Sequence, residues 1–237
     1  MNKLNHVAFI MDGNGRWGKK KNNNRNSGHY AGVKTVKKIV EASIKLKIPT
    51  VTFYVFSTEN WKRPKTEVRA LMALLLKTIK IEIRELHKNN VRFTIIGDLE
   101  MFPNSTRKGL LEGISLTKDN DGLNLCLALN YGSRQEIIDG IKSMVKKIQF
   151  GLLSIDDISE KLFSTELYTK TMPDPDLLIR TSGECRLSNF LLWQSAYAEI
   201  LMTDIYWPDF RENQLIHAIY DYQSRERRFG KLSDQIK

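Results

Sequence analysis

Six short apolar runs rich in β-branched and aromatic residues recur along the chain, and longer segments with helical periodicity separate them. The runs cover residues 6–11, 50–56, 91–96, 123–129, 176–180 and 200–205. Strands that alternate with helices build a mainly parallel sheet that is covered on both faces. The sequence therefore predicts an α/β fold in one domain over residues 1–237, with an open, mainly parallel, six-stranded sheet flanked by helices.

The charge and cysteine content narrow the class of protein. The formal net charge of +10 favours an anionic partner such as nucleic acid, anionic lipid or a phosphorylated substrate. No nucleic-acid-binding motif is recognised, so we expect no nucleic-acid partner. Two cysteines, Cys126 and Cys185, supply neither a disulfide framework nor a zinc pattern. No apolar stretch is long enough to span a bilayer. We expect a cytoplasmic protein, with peripheral contact at the inner face of a membrane left open.

Several helices and loops follow from local signals. Residues 33–45 carry one apolar face, and residues 67–87 are apolar around so much of the helix that they indicate either a buried helix or one that also lines a cavity. The capping box at residues 133–136 predicts a helix start. Ser188 is predicted to cap a helix over residues 189–196. The lysine- and asparagine-rich residues 19–25 are predicted to form a basic loop.

The segment after the first strand has two functional interpretations. Residues 13–18 fit the pattern G-x-G-x-x-G of a dinucleotide site, but Asp12 would repel a pyrophosphate and the expected acidic residue about 20 positions on is missing. A metal–diphosphate site fits better, with glycines admitting phosphate oxygens, Asp12 holding Mg²⁺, and Arg16 and Arg25 adding charge. A plain turn that caps the next helix is the structural alternative.

Two more strand ends carry polar side chains at what is predicted to be the same edge of the sheet. Arg180, Arg186 and Ser188 form a second candidate anion site, to which a helix dipole at Ser188 would contribute. The alternative is that Arg180 and Glu184 simply pair with each other or with neighbours. After the second strand, Ser57 and Asn60 are suited to orienting a water or passing a proton, or else to ordinary turn chemistry.

Taken together, these motifs resemble the cis-prenyltransferase family, in particular the bacterial undecaprenyl diphosphate synthases (isoprenyl transferases). The resemblance runs through residues 6–17, 28–29, 56–64, 176–199, 207–210 and 225–230, in the family's order. It implies a hydrophobic tunnel, a homodimer and Mg²⁺-dependent cis addition of isopentenyl diphosphate to farnesyl diphosphate. The implied product is undecaprenyl diphosphate, the lipid-carrier precursor for bacterial cell-wall synthesis. A product of another length and a non-catalytic accessory subunit are the alternatives.

The resemblance also implies roles for individual residues. Asp12 would be the essential aspartate and a magnesium ligand, Glu199 the second magnesium ligand, and Asn60 the residue that accepts a proton. The residues implied to bind the allylic diphosphate, to line the substrate site and to bind isopentenyl diphosphate are, in chain order, Gly13, Asn14, Gly15, Arg16, Trp17, Arg25, His29, Ser57, Thr58, Glu59, Trp61, Arg63, Arg180, Arg186, Leu187 and Ser188. Val55 and Leu123 are implied to lie at the cavity floor.

Two positions complicate this assignment. Cys185 stands where the family often has histidine, and cysteine is a poor magnesium ligand, so no metal role is predicted there. Glu199 is predicted at the start of a strand, which is the wrong end of a parallel sheet for meeting Asp12. It would have to reach Asp12 through the preceding loop or act across the dimer.

Overall fold

The computed structural model of the chain describes residues 2–235 and contains one six-stranded sheet in which every pairing is parallel. The strands are β1 (His6–Ile10), β2 (Thr50–Ser57), β3 (Arg92–Ile96), β4 (Asn124–Tyr131), β5 (Leu177–Arg180) and β6 (Glu199–Met202). Their order in the sheet is β3-β4-β2-β1-β5-β6. The predicted α/β class and the six-stranded parallel sheet are confirmed.

The register brings the carboxyl ends of the central strands together. Ile10 pairs with Tyr54 on one side and with Arg180 on the other. All five residues of β1 are buried, as expected for a central strand covered on both faces. The segments that follow β1, β2, β4 and β5 therefore emerge at one edge of the sheet, where open parallel sheets place their sites.

Seven α-helices and several turns of the described residues cover the two faces of the sheet. The helices are α1 (Asn14–Asn22), α2 (Arg25–Lys45), α3 (Lys65–Lys88), α4 (Asn104–Thr117), α5 (Ser133–Gln149), α6 (Glu160–Ser164) and α7 (Glu212–Ser224). Side chains of α2, α3, α4 and α7 join the larger core cluster on one face, whereas Phe190 and Leu191 pack on the other. None of the helices within residues 2–235 is both long and apolar enough to cross a membrane.

An aromatic cluster fixes the segment after β6 against the centre of the sheet. The ring of Phe9 stacks on Phe53 at a centroid distance of 5.1 Å, and Trp207 lies 5.7 Å from Phe9. The indole N–H of Trp207 donates to the carbonyl of Gly32 on α2 over 3.0 Å. Because all three rings are buried, residues close to Trp207 are held beside the end of β1.

The predicted basic loop at residues 19–25 is wrong. The lysines of this segment lie in the last turn of α1, where positive charge suits the carboxyl end of a helix. Asn23 ends α1 in the left-handed conformation with φ of 50°, and the side chain of Asn24 caps α2 by accepting from the N–H of Asn26 over 2.9 Å. Only Asn23 and Asn24 separate the two helices.

The predicted helix at residues 189–196 is also wrong, because successive turns replace it. Ser188, Asn189 and Leu191 have φ values of 49°, 62° and 46°, which lie outside the right-handed helical region. Peptide groups of this segment bond to other parts of the chain, as when the carbonyl of Asn189 accepts from the N–H of Ser133 over 2.8 Å. Ser188 therefore lends no helix dipole to an anion site.

Helix α5 starts at Ser133, as predicted, but not through the predicted capping box. The Ser133 hydroxyl accepts instead from the N–H of Leu192 over 3.0 Å. The carboxyl of Glu136 is buried and accepts from the hydroxyl of Tyr131 over 2.6 Å and from the N–H of Tyr168 over 2.9 Å. The side chains of Ser133 and Glu136 therefore bond to residues outside the predicted capping box.

Candidate active site

Asp12 follows β1 and lies among hydrogen-bond donors. Its Oδ2 accepts from Arg180 Nη2 over 2.8 Å, its Oδ1 accepts from the N–H of Gly13 over 2.6 Å, and Arg16 Nη2 lies 3.4 Å from Oδ1. Partial burial by itself raises the pKa of Asp12. The hydrogen bonds from Arg180 and Gly13, with the charges of both arginines, nevertheless hold that pKa below its ordinary value. The carboxylate is therefore ionised at neutral pH.

Arg180 ends β5 and is 3% exposed, so its charge must be met by fixed partners. Besides Asp12, its guanidinium donates to Ser188 Oγ over 2.7 Å and to the carbonyl of Arg186. Arg180 and Glu184 do not pair with each other, because Glu184 accepts from Arg16 over 2.9 Å and from Arg186. Each of them pairs with other groups, as the second part of the alternative has it, and Ser188 of the predicted anion site lies beside Arg180.

Two glycines of the segment after β1 allow close approaches. Gly13 has φ of 96°, and a Cβ there would lie 2.5 Å from the ring of Tyr206, so a side chain at this position would be strained. A Cβ on Gly15 would lie 2.8 Å from the guanidinium of Arg25. The lack of a side chain at Gly15 lets Arg25 lie over the first turn of α1.

A second cluster surrounds Glu67 in the first turn of α3. Its carboxylate lies 3.2 Å from Arg63, 3.7 Å from Arg25 and 3.8 Å from His29. Burial, with smaller contributions from the charges of Arg63 and Arg25, lowers the pKa of His29 to about 4 against the opposing charge of Glu67. His29 is therefore neutral at physiological pH. Three predicted substrate residues, Arg25, His29 and Arg63, thus share the carboxylate of Glu67, which is not among the predicted site residues.

The turn after β2 holds its own polar side chains in place. Asn60 Oδ1 accepts from the N–H of Ser57 over 3.2 Å, a turn contact of the kind expected from the structural alternative. The indole N–H of Trp61 donates to Asn130 Oδ1 over 2.8 Å. Glu59 Oε1 accepts from Asn189 Nδ2 over 2.9 Å, and that contact links this turn to the segment after β5.

The remaining predicted substrate residues lie around the same edge. Trp17 donates from its indole N–H to Asp209 over 2.8 Å. The amide of Asn14 donates to the carbonyl of Met11 over 3.0 Å. Leu187 packs against the core cluster on the side of Phe190. Thr58 Oγ1 would lie 2.7 Å from a Cβ on Gly132, at the end of β4.

An apolar cavity of about 130 Å³ lies between the sheet, α2 and α3. Helix α3 therefore both packs on the core and lines a cavity, which was one of the two predicted interpretations. Val55 lines the cavity, whereas Leu123 is buried outside the lining. Asn14 and His29 belong to the lining, so the cavity meets the cationic edge. The other lining residues are Met11, Gly32, Val33, Val36, Phe56, Leu71, Met72, Leu74, Leu75, Thr78, Ile79, Leu127 and Trp207.

Glu199 lies at the opposite edge of the sheet from Asp12 in the same chain. It begins β6, and it pairs across Leu177 with Val7 near the start of β1. Its carboxylate accepts from Arg225 over 2.8 Å. The predicted route to Asp12 through the preceding loop is therefore wrong, because that loop leaves Glu199 at the level of Val7. A role across a dimer stays a prediction.

The residues around Asp12 fit a magnesium ion held jointly with a substrate. Within residues 2–235 there is no cluster of three His, Cys, Asp or Glu side chains that could hold a metal by themselves. Mg²⁺ commonly binds through one or two carboxylates together with substrate phosphates, and it retains several waters. The single, ionised and partly exposed carboxylate of Asp12, beside two arginines, matches that mode.

Several residues at this edge were not among the predicted site residues. Glu67 and Glu184 each bridge two of the predicted arginines. The sequence offered one signal for them, because each glutamate stands a few positions from an arginine in the segment that follows a strand. Asn189 and Asn130 hydrogen-bond to Glu59 and Trp61, and no local pattern marks them. Tyr206 packs on Gly13 from a segment almost 200 positions away.

The chain is similar to known proteins along most of its length. A family model described as putative undecaprenyl diphosphate synthase matches residues 10–230. An isoprenyl transferase of Clostridium perfringens is 58% identical over 227 residues, covering 96% of this chain and 90% of its own length. One from Chlorobaculum tepidum is 50% identical over 232 residues, with coverages of 98% and 88%.

Solved structures extend the comparison to the fold. The crystal structure of lavandulyl diphosphate synthase from Lavandula x intermedia, in complex with dimethylallyl diphosphate, has a TM-score of 0.93 at 35% identity and covers 96% of this chain and 98% of that one. A probable undecaprenyl diphosphate synthase from Campylobacter jejuni has a TM-score of 0.81 at 35% identity, with coverages of 98% and 100%. The chain therefore belongs to the undecaprenyl diphosphate synthase family, and it is a prenyltransferase.

Proposed function

We propose that this prenyltransferase adds isopentenyl diphosphate units in cis to an allylic diphosphate, farnesyl diphosphate, and releases undecaprenyl diphosphate. The observation that carries the proposal is the junction of a cationic edge with an apolar cavity. Asn14 and His29 line the cavity, while Arg25 and Arg63 lie beside the same Glu67 as His29. A ligand with a diphosphate head and a hydrocarbon tail matches both parts.

The allylic substrate is assigned to the side of the cavity. Its diphosphate would bind the backbone N–H groups of Asn14 and Gly15 with Arg16, Arg25 and Arg63, and its tail would enter between α2 and α3. The similar lavandulyl enzyme was solved with dimethylallyl diphosphate, itself an allylic diphosphate. That likeness supports the choice of substrate class.

Isopentenyl diphosphate is assigned to the pocket around Arg180. Arg180 and Arg186 would supply positive charge to a second diphosphate, Ser188 beside Arg180 would donate from its hydroxyl, and Leu187 would offer an apolar contact. Two diphosphates repel each other, so cationic groups must lie between them. Arg180 and Arg16, on either side of Asp12, meet that need.

Mg²⁺ would be held by Asp12 and would offset the charge of the diphosphate that leaves the allylic carbon. In the reaction, the allylic carbon–oxygen bond breaks and its electron pair stays on the departing diphosphate. The double bond of isopentenyl diphosphate forms the new carbon–carbon bond, and a proton is lost. Asn60, held by Ser57, would relay that proton to a phosphate oxygen, because an amide cannot retain it as a base.

The assembly proposed for this activity is a homodimer. Glu199 stands far from Asp12 in its own chain, so a metal role for Glu199 requires a second subunit. The growing lipid would leave toward the inner face of a membrane, with the protein in the cytoplasm.

The decisive experiment is incubation of the purified chain with farnesyl diphosphate, labelled isopentenyl diphosphate and Mg²⁺, followed by sizing of the extracted lipid. We expect one long polyprenyl product, and we expect EDTA to prevent its formation. A product of another length would correct the assigned chain length alone. Complete lack of incorporation by the folded protein would instead favour an accessory subunit and would overturn the proposal.

A further inference from the structure

Asn189 joins three segments that leave the active-site edge of the sheet. Its Nδ2 donates to Glu59 Oε1, over 2.9 Å, in the turn after β2. Its Oδ1 accepts from the N–H of Arg134 over 2.9 Å, and its carbonyl accepts from the N–H of Ser133 over 2.8 Å, both after β4. Asn189 itself follows β5. One half-buried side chain thus links the turns after three strands.

The residue directly before Asn189 belongs to the pocket proposed for isopentenyl diphosphate. Ser188 Oγ accepts from Arg180 over 2.7 Å, and the carbonyl of Ser188 accepts from the hydroxyl of Tyr54. A displacement of Asn189 would therefore move Ser188 relative to Arg180. It would also release Glu59, which precedes Asn60 in the turn after β2.

The backbone here is held in a conformation that local preference does not favour. Ser188, Asn189 and Leu191 have φ of 49°, 62° and 46°. Asparagine adopts the left-handed region more readily than serine or leucine, because its side chain hydrogen-bonds locally. Such conformations persist where surrounding contacts over-determine them. The three hydrogen bonds of Asn189 are contacts of that kind.

The two ends of the amide have different electrostatic tasks. The Nδ2 donor faces a carboxylate, while Oδ1 faces a peptide N–H, so neither end can replace the other. Partial burial raises the pKa of Glu59, but the hydrogen bond from Asn189 and further donors around the turn hold it below its ordinary value. Glu59 is thus ionised and can accept from Asn189 at neutral pH.

We propose that Asn189 is a positioning residue that holds the Ser188 side of the isopentenyl diphosphate pocket in register with the turn that carries Glu59 and Asn60. This inference rests on the proposed function. It assigns Asn189 no contact with the reacting atoms. Its part is to keep two substrate-binding turns at a fixed separation through the Glu59 carboxylate.

The test is Asn189→Asp, which keeps the size and the acceptor for Arg134 but replaces the donor to Glu59 by a second carboxylate. At pH 7.5 we expect kcat/KM for isopentenyl diphosphate to fall about tenfold or more. A tenfold loss is the lower end of the range expected when a hydrogen bond to a charged group is removed. At about pH 5.5 the loss should be smaller, because a proton shared by the two carboxylates restores a donor. A loss due only to misfolding would be the same at both pH values.

Reversing the donor and acceptor provides the rescue. In Glu59→Gln/Asn189→Asp the amide at position 59 donates to the carboxylate at position 189, so we expect kcat/KM to recover part of the loss at pH 7.5. Asn213→Asp, at an exposed position of α7, adds the same charge away from the site and should match the wild-type rate. A wild-type kcat/KM in Asn189→Asp, or an equal loss at both pH values with no recovery in the double variant, would overturn the proposal.

A measurement without turnover separates this proposal from the proposed function. Inorganic diphosphate with Mg²⁺, titrated by calorimetry, probes the anion pockets whether or not the chain condenses prenyl units. Weaker binding to Asn189→Asp than to wild type, with recovery in the double variant, supports the positioning role even if the condensation assay fails. Unchanged diphosphate affinity in Asn189→Asp would count against the role even in an active enzyme.

Discussion

Arg180 Nη2 and Asp12 Oδ2 form a 2.8 Å ion pair that joins the ends of β5 and β1 across two adjacent parallel strands. The arginine is buried, whereas the carboxylate is partly open to the site. A buried charge that loses its partner is costly. The pair therefore fixes one face of the carboxylate and leaves the rest of it for a metal or a substrate.

Replacing Asp12 should nearly abolish condensation. We expect Asp12→Ala to lower the rate at least about a hundredfold, the scale seen when electrostatic stabilisation at a reacting centre is removed. Asp12→Asn keeps an acceptor for Arg180 but removes the charge that would hold Mg²⁺, so it should lose a similar factor. Incorporation of labelled isopentenyl diphosphate measures both. Near-normal turnover in Asp12→Asn would remove the metal role of this carboxylate.

Arg180→Ala should separate the two substrates. Charge-assisted hydrogen bonds to phosphate are among the stronger ones, so we expect KM for isopentenyl diphosphate to rise about tenfold or more. KM for farnesyl diphosphate should change far less, because its diphosphate is assigned to Arg16, Arg25 and Arg63. Arg180→Lys retains the charge without the forked guanidinium, so its KM for isopentenyl diphosphate should lie between those of the wild type and Arg180→Ala. Equal increases in both KM values would contradict the assignment of two sites.

The sequence was sufficient for the sheet and for the edge that carries the site. The composition of the short apolar runs, and the helical period of the segments between them, predicted all six strands, because buried parallel strands are continuous apolar runs. The turn residues at the ends of β1, β2 and β5 then placed the arginines at one edge. These features depend on neighbours along the chain and on the general geometry of parallel sheets.

What the sequence did not predict depends on contacts between distant segments. Residues 189–196 have helical composition, yet Ser133 and Glu136 of α5 bond to this segment and hold it in turns. Glu67 and Asn189 became part of the site only when folding brought other loops to them. Local propensity is a weak guide wherever tertiary partners satisfy the backbone.

Narrowing the cavity should shorten the product. Val55→Phe and Met72→Trp place larger side chains at two lining positions, so the chain should meet them after fewer additions. Each buried CH₂ contributes roughly 0.8 kcal/mol, so a shorter product should also leave faster. Chromatography of the extracted lipid measures length. Ile81→Phe, at a position 60% exposed on the same helix, is the matched control. Unchanged product length in both cavity variants would exclude this cavity as the tunnel.

The two cysteines should differ in reactivity. Cys126 is buried, and burial raises its pKa to about 12, so it should resist iodoacetamide in the folded protein. Cys185 is exposed between Glu184 and Arg186, so it should be modified, and more slowly when inorganic diphosphate and Mg²⁺ are present. Peptide mass spectrometry locates the adduct. Cys185→Ser should remain unlabelled while folded. Labelling of Cys185 at the same rate with and without diphosphate would place it outside the anion pockets.

Two buried histidines should make the free energy of unfolding fall as the pH is lowered. Burial lowers the pKa of both His6 and His29 from 6.5 to about 4, so protons bind the unfolded chain more tightly than the folded one. The stability they confer is complete above pH 6.5 and is lost as the pH falls towards 4. At about pH 5, each of these two histidines should lower the free energy of unfolding by about 2 kcal/mol, because one pKa unit corresponds to ~1.36 kcal/mol.

Urea unfolding at about pH 7.5 and about pH 5 measures this loss. His6 is hydrogen-bonded to Pro173 and Thr52 through its two ring nitrogens, so His6→Gln should lower stability at pH 7.5 yet flatten its dependence on pH. His29→Gln should flatten it as well. The other two histidines, His87 and His217, are exposed, so His87→Gln and His217→Gln serve as control variants. A wild-type slope retained in both His6→Gln and His29→Gln would show that other groups control acid unfolding.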